Sequence, residues 1–155
     1  MKKKLTVEER IVRLICKSWY TKKKLREKLI SEGYPENDVD EALQAFEQDG
    51  YIDDEFFMKT YLEGKRNSNP RGFWAYKTEL ERLGIEKDLL EQFRSIYFPP
   101  SEEVKDGIEL IRKWFQQGET SRDRMIQRLS RKGFSYDVAE WSWNQFQANR
   151  EEELS

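Results

Sequence analysis

One short pattern occurs three times in this chain, and its period limits the fold more than any other feature. Leu25, Leu29 and Gly33-Tyr34 line up with Tyr76, Leu80 and Gly84-Ile85, and again with Met125, Leu129 and Gly133-Phe134. The three glycines stand 51 and 49 residues apart. Two apolar residues four apart and then a glycine mark the inner face and the end of a helix. Val39, Leu89 and Val138 take matching places in the helix that follows. A period near 50 residues with three helices in each unit is a repeat architecture. A unit of that size buries too little apolar surface to be stable alone. The pattern therefore predicts an all-α protein of three tandem three-helix repeats, stacked into an elongated, curved array. The boundaries fall at 1–51, 52–98 and 99–155, the last repeat ending in an acidic C-terminal tail.

The first two repeats are joined by the stretch from Gly50 through Tyr51, Ile52, Asp53 and Asp54 to Phe57 and Tyr61. Gly50 closes one helix, and Asp53 or Asp54 offers a carboxylate to the free amides of the next. Phe57, Met58, Tyr61 and Leu62 then share a buried stripe. Elsewhere Thr6, three residues before Glu9, is set to cap a first helix that runs to Ser18. Thr21 caps a second, and Pro35 suits the first position of a third. Asn67 to Gly72 has loop composition. Phe98-Pro99-Pro100 breaks the sixth helix, and Ser101 opens the seventh. Thr120 or Ser121 caps the eighth, and Ser135 begins a ninth that frays towards Ser155. No segment alternates as a strand does.

Charged residues make up 37% of the chain and hydrophobic ones also 37%, so surface is large relative to core. Aromatics reach 14% and recur at helical spacings, which separates the chain from disordered sequences. No apolar run approaches the roughly 20 residues that span a bilayer. The basic start Met1-Lys2-Lys3-Lys4 has no apolar segment behind it, unlike a signal peptide. Cytoplasmic localisation is the expectation. A lone cysteine, Cys16, forms no internal disulfide, and among Ile11, Val12, Leu14 and Ile15 it reads as a buried packing thiol.

Histidine is absent, which removes the commonest general base and metal ligand. One cysteine excludes zinc-finger spacings, and no glycine-rich phosphate loop is present. Asp53-Asp54-Glu55 is better read as a helix cap than as a metal or acid–base cluster, since adjacent carboxylates at a helix start point apart. The expectation is no catalytic residue, no cofactor and no metal.

Net charge is −2, yet the charge is sorted along the chain. Residues 1–28 carry 11 bases and 3 acids, a net of +8, whereas residues 29–58 carry 10 acids and no base. Aligned on the glycines, Lys24 and Lys28 match Arg124 and Arg128, four apart and so on one helix face. Arg131 extends that face by a turn. The second repeat has Ala75 and Glu79 at these positions, with Arg71 and Arg82 as partial bridges. Such a stripe meets phosphates or the acidic patches of a partner, or is an ordinary solvated face. Trp114 and Trp141 sit on apolar stripes and are expected in the core. Either Trp74 or Trp143 is open to an outward role, and an exposed Trp74 is a candidate contact hot spot.

The chain resembles the RecX family of bacterial recombination regulators. The residues that carry the likeness are Thr21, Leu25, Lys28-Leu29 and Gly33, then Gly50-Tyr51-Ile52-Asp53-Asp54 with Phe57 and Tyr61. Arg71-Gly72, Glu79-Leu80 and Gly84-Ile85 follow in the same order, and the likeness runs over about residues 8–147. Lys24 departs from the acid that family members usually carry nearby, and Phe73-Trp74 is more aromatic than the family pattern. The resemblance implies three tandem three-helix units and a non-catalytic modulator of the RecA recombinase; a monomer is the expectation. It would bind RecA and its filament on single-stranded DNA, and limit filament growth, ATPase and strand exchange. Weak direct DNA binding is compatible with it. Two other readings remain open: a helix-turn-helix-like DNA-binding module, and a helical adaptor for some other protein.

Overall fold

The computed structural model describes residues 4–155; Met1, Lys2 and Lys3 of the basic start lie outside the described residues. Among the described residues there are nine α-helices and no strand. They are α1 (Val7–Lys17), α2 (Lys22–Ser31), α3 (Glu36–Gln48), α4 (Asp54–Ser68), α5 (Phe73–Leu83), α6 (Lys87–Tyr97), α7 (Pro100–Gln116), α8 (Arg122–Arg131) and α9 (Tyr136–Leu154). The expected all-α, three-by-three order of helices is what the chain adopts. Two compact units form: unit 1 is Met1–Tyr61 with Leu80–Glu86, and unit 2 is Leu62–Glu79 with Lys87–Ser155.

In unit 1 the helices begin where local chemistry puts them. Thr6 Oγ1 accepts from the Glu9 amide at 3.2 Å and Thr21 Oγ1 from the Lys24 amide at 3.2 Å, each filling an orphan donor of a first turn. Val7, Ile11 and Leu14, at spacings of four and three, bury against Leu25, Leu29, Val39, Leu43 and Ile52. Cys16 falls off this stripe and is exposed, not buried as its neighbours suggested. Val12 is exposed for the same reason. Pro35 is the N-cap of α3, one position earlier than expected.

Gly50, at φ +82, ends α3, and the Tyr51 amide turns back to Phe46 O at 2.9 Å. The next two carboxylates then serve different helices. Asp53 Oδ1 caps α4 through the Phe56 amide at 3.0 Å. Asp54 Oδ1 instead accepts from the Lys22 amide, the first of α2, at 3.0 Å. Burial holds the Asp54 carboxyl above its usual range, and the Lys22 amide opposes that rise.

Two of the three repeated glycines, Gly84 and Gly133, have a shared structural cause, whereas a Cβ on Gly33 would meet only Lys4 Nζ at 3.5 Å. In unit 1 a Cβ on Gly84 would lie 2.6 Å from Thr21 Oγ1, and Thr21 Oγ1 donates to Leu83 O. The end of α5 is thus pressed against the start of α2. Unit 2 repeats the arrangement one triplet on. A Cβ on Gly133 would lie 2.5 Å from the backbone of Ala75, and one on Gly72 2.3 Å from that of Gly133. Two backbone bonds close this contact: the Gly72 amide to Lys132 O at 2.9 Å and the Trp74 amide to Gly133 O at 3.2 Å. Each time, the middle helix of one triplet ends on the first turn of the preceding triplet's middle helix. A buried acid recurs there too: the Glu103 carboxyl of α7 lies by the Phe73 amide, the first of α5, which weakly opposes the effect of its burial.

Unit 2 is centred on Ile111, Trp114, Met125, Leu129, Ala139, Trp143 and Phe146. A Cβ on Gly107 would lie 2.3 Å from Ser142 Oγ; two small residues thus let α7 and α9 approach closely. Ser142 Oγ in turn bonds to Val138 O at 2.7 Å. Trp141 was expected in the core but is 50% exposed. The buried stripe of α9 runs through Val138, Ala139, Ser142, Trp143 and Phe146, and Trp141 projects from the opposite side of that arc. Pro99 caps α7 and Pro100 is its first residue, so the helix starts before Ser101. The connection ahead of α5 is also shorter than expected, since α4 continues through Asn67 and Ser68. Tyr76 Oη ties that connection by donating to Asn69 O and accepting from the Arg71 amide, both at 3.1 Å. At the other end α9 is helical as far as Leu154.

Candidate functional site

Unit 1 brings Lys24 and Lys28 together on the outer face of α2, where both are exposed. They line one hollow of about 500 Å³ with Trp19, Phe57 and Leu83. Neither ammonium is wholly free: Lys24 Nζ lies 3.4 Å from Glu27 and Lys28 Nζ 4.0 Å from Glu32. Glu32 is chiefly engaged by Arg10, at 2.6 Å from Nε. That guanidinium holds the Glu32 carboxyl below the usual range. Lys28 is thus only loosely neutralised. Arg82, exposed at the end of α5, directly precedes Leu83 and has no ion pair among the described residues. Trp19, 65% exposed, stacks on Phe56 with centroids 5.5 Å apart.

In unit 2 the basic residues divide by environment. Arg124 and Arg128, a turn apart on α8, share Glu119, at 3.8 and 3.4 Å. Glu119 is itself pinned by the Ser121 amide at 3.0 Å. The Arg128 guanidinium also lies 5.5 Å from the Trp114 ring centre, a cation–π contact that makes it partly a packing residue. Arg124 is the freer of the two, with its side chain 73% exposed. Arg131 is exposed and without an ion pair among the described residues. Arg71 is paired with Glu79 at 3.4 Å.

Trp74 is 46% exposed on the first turn of α5. The Arg94 guanidinium lies 4.2 Å from the Phe73 ring centre and 5.4 Å from that of Trp74, and Lys77 Nζ lies 5.1 Å from Trp74. Trp143, the other tryptophan left open by the sequence, is buried. Trp74 lines a hollow of about 440 Å³ together with Trp141, Arg94, Glu91, Asp137 and Glu103. Periodicity missed this gathering because Trp141 and Glu103 both read as features of helix interiors or starts. Glu103 is 5% exposed, and burial pushes its carboxyl up to about 6, against the pull of Arg94 and Arg66. Among the described residues no group of His, Cys, Asp and Glu is arranged to hold a metal ion, and no helix is long and apolar enough to cross a membrane.

What the fold and these surfaces define is a helical-repeat protein that presents bases and tryptophans from helix faces. The chain is 32% identical over 117 residues to Regulatory protein RecX of Geobacillus thermodenitrificans, spanning 72% of this chain and 43% of that protein. It is 30% identical over 119 residues to Regulatory protein RecX of Caldanaerobacter subterraneus subsp. tengcongensis, spanning 77% of this chain and 57% of that protein. The crystal structure of RecX from Lactobacillus salivarius shares its fold, with a TM-score of 0.82 at 20% identity over 92% of this chain and 95% of that one. No protein-family model matches the chain. The chain spans about half the length of the curated relatives it matches. It belongs to the RecX family of regulatory proteins.

Proposed function

We propose that this chain regulates the RecA recombinase by binding rather than by catalysis, acting in the cytoplasm as a monomer. It attaches to the filament that RecA forms on single-stranded DNA and restrains filament growth, ATPase and strand exchange. The observation that carries this reading is the identity to proteins named Regulatory protein RecX over more than two thirds of this chain. Its surface chemistry agrees. Lys24 and Lys28 with Arg82 in unit 1, and Arg124 and Arg131 in unit 2, are bases on helix faces with weak or no internal partners. Two such contact sets on one chain combine through effective concentration, so that each is weak and the whole is firm. In this reading Arg71, Arg128 and Trp74 contribute through residual exposed area, being already engaged within unit 2.

The test is RecA ATPase on single-stranded DNA, titrated with wild type and with Arg124→Glu/Arg131→Glu. Wild type is expected to lower hydrolysis at less than one chain per RecA. The double charge reversal is expected to require at least tenfold more protein, about 1.4 kcal/mol of lost binding. Arg128 is left in place because it packs on Trp114. Hydrolysis and filament length unchanged by wild type overturn the reading, and equal inhibition by both proteins removes the α8 bases from it.

A further inference from the structure

We propose that the hollow of unit 2 between Trp74 and Trp141 is a docking site for cationic side chains of a basic polypeptide segment on a partner protein. The argument starts from Trp141. A tryptophan half exposed on a folded surface leaves a large apolar ring in water at a free-energy cost. Trp141 has no ring, cation or hydrogen-bond partner for its side chain among the described residues. Trp74, facing the same hollow, shows what these rings attract here, since it already holds Lys77 and Arg94 at 5.1 and 5.4 Å. Trp141 offers an equivalent face with no cation on it.

Charge fixes the sign of the occupant. Glu91, Asp137 and Glu103 line the hollow, against one base, Arg94. Arg94 is committed to the Phe73 and Trp74 rings. Two tryptophans with two exposed carboxylates, Glu91 and Asp137, form a surface for a guanidinium or ammonium, which gains from the rings and the carboxylates together. The same carboxylates repel a phosphate backbone, which disfavours nucleic acid as the occupant. At about 440 Å³ the hollow is larger than one side chain needs, so it suits a short basic stretch with an apolar neighbour beside the cation. This proposal shares Trp74 with the RecA reading but none of its bases, and it rests on Trp141, which that reading does not use.

The experiment needs no recombinase. The full chain is titrated with the peptide acetyl-Leu-Arg-Lys-Leu-Arg-Lys amide, with its acidic twin carrying Glu at every basic position, and with a short oligothymidylate, following tryptophan emission. The basic peptide is expected to bind and shift the emission, the acidic twin and the oligothymidylate to do neither. Trp141→Ala is expected to weaken the basic peptide about tenfold. Glu91→Gln/Asp137→Asn, which keeps both shapes, should weaken it comparably and flatten its salt dependence. Trp19→Ala, in unit 1, should leave the affinity unchanged. Equal binding of the two peptides, or wild-type affinity in both hollow variants, overturns the proposal. So does an oligothymidylate response that Trp141→Ala abolishes, which assigns the hollow to nucleic acid. A change of oligomeric state on Trp141→Ala without peptide overturns it as well, by showing that a second copy occupies the site.

Discussion

A Cβ added at Gly72 would sit 2.3 Å from the carbonyl carbon and oxygen of Gly133. Both neighbours are main chain, so no flexible side chain can move aside. Gly72→Ala must therefore push apart the two backbones that its own amide joins to Lys132 O. We expect a loss of about 2–3 kcal/mol, the scale of overpacking in a closed contact, read as a lower urea midpoint. Gly64 provides the opposite case. It lies within α4, exposed, with nothing within 4 Å of a Cβ. Gly64→Ala should thus stabilise by about 0.5–1 kcal/mol through helix propensity and a stiffer unfolded chain. If both substitutions destabilise equally, the close approach at Gly72 is not the cause. The sequence offered these two glycines alike, one in a helix and one in an Arg-Gly dipeptide. Only the arrival of Gly133 from 61 positions away, by their numbers, separates them.

Helix starts were legible where the cap is local: Thr6, Thr21, Ser121 and Ser135 each accept from an amide three residues on. What no local pattern carried was the placing of Asp54, which caps Lys22, and of Glu103, buried beside the Phe73 amide. Their partners lie in the preceding triplet, so spacing along one helix gives no sign of them. The basic stripe was legible as residue types but not as free charge, because that depends on where Glu119 and Glu79 point. Trp141 was misplaced because three apolar residues fit two different arcs of α9, and only packing chose between them. Glu103 gives its burial a measurable signature. Its folded pKa, about 6, lies above its ordinary value of 4.5. For an acid shifted upward, the favourable contribution is complete at low pH and disappears as pH rises through the folded value. Wild type is expected to lose about 2 kcal/mol from this group between pH 4 and 7, at 1.36 kcal/mol per unit. Glu103→Gln cannot ionise and should lack that part of the slope. Urea unfolding of both proteins at three pH values across the window measures the difference. Parallel curves would mean that Glu103 titrates normally, and hence that the Phe73 amide, Arg94 and Arg66 outweigh its burial.

Across the whole molecule the net charge of −2 hides a strong sorting, with ten acids and no base in residues 29–58. A partner that is uniformly negative meets both signs, and a partner that carries patches of each sign meets complements. This separates a regulator of a nucleoprotein filament from a protein that binds DNA unaided. Each phosphate neutralised on a single strand contributes about −0.7 to the slope of log affinity against log salt. If Lys24, Lys28, Arg124 and Arg131 all reached phosphates, the slope would be about −3. Three of these four already face carboxylates within 4.0 Å, and exchanging one anion for another releases few counterions. We therefore expect weak binding to a short oligothymidylate without recombinase, with a slope no steeper than about −2. Fluorescence anisotropy from 50 to 300 mM salt gives the number. A slope of −3 or steeper with tight binding would favour the DNA-binding module over the filament regulator. In that case Arg124→Glu should weaken the free oligonucleotide as much as it weakens inhibition of the ATPase. A shallow slope with inhibition that still needs Arg124 would instead mean that the filament's protein surface is what those bases meet.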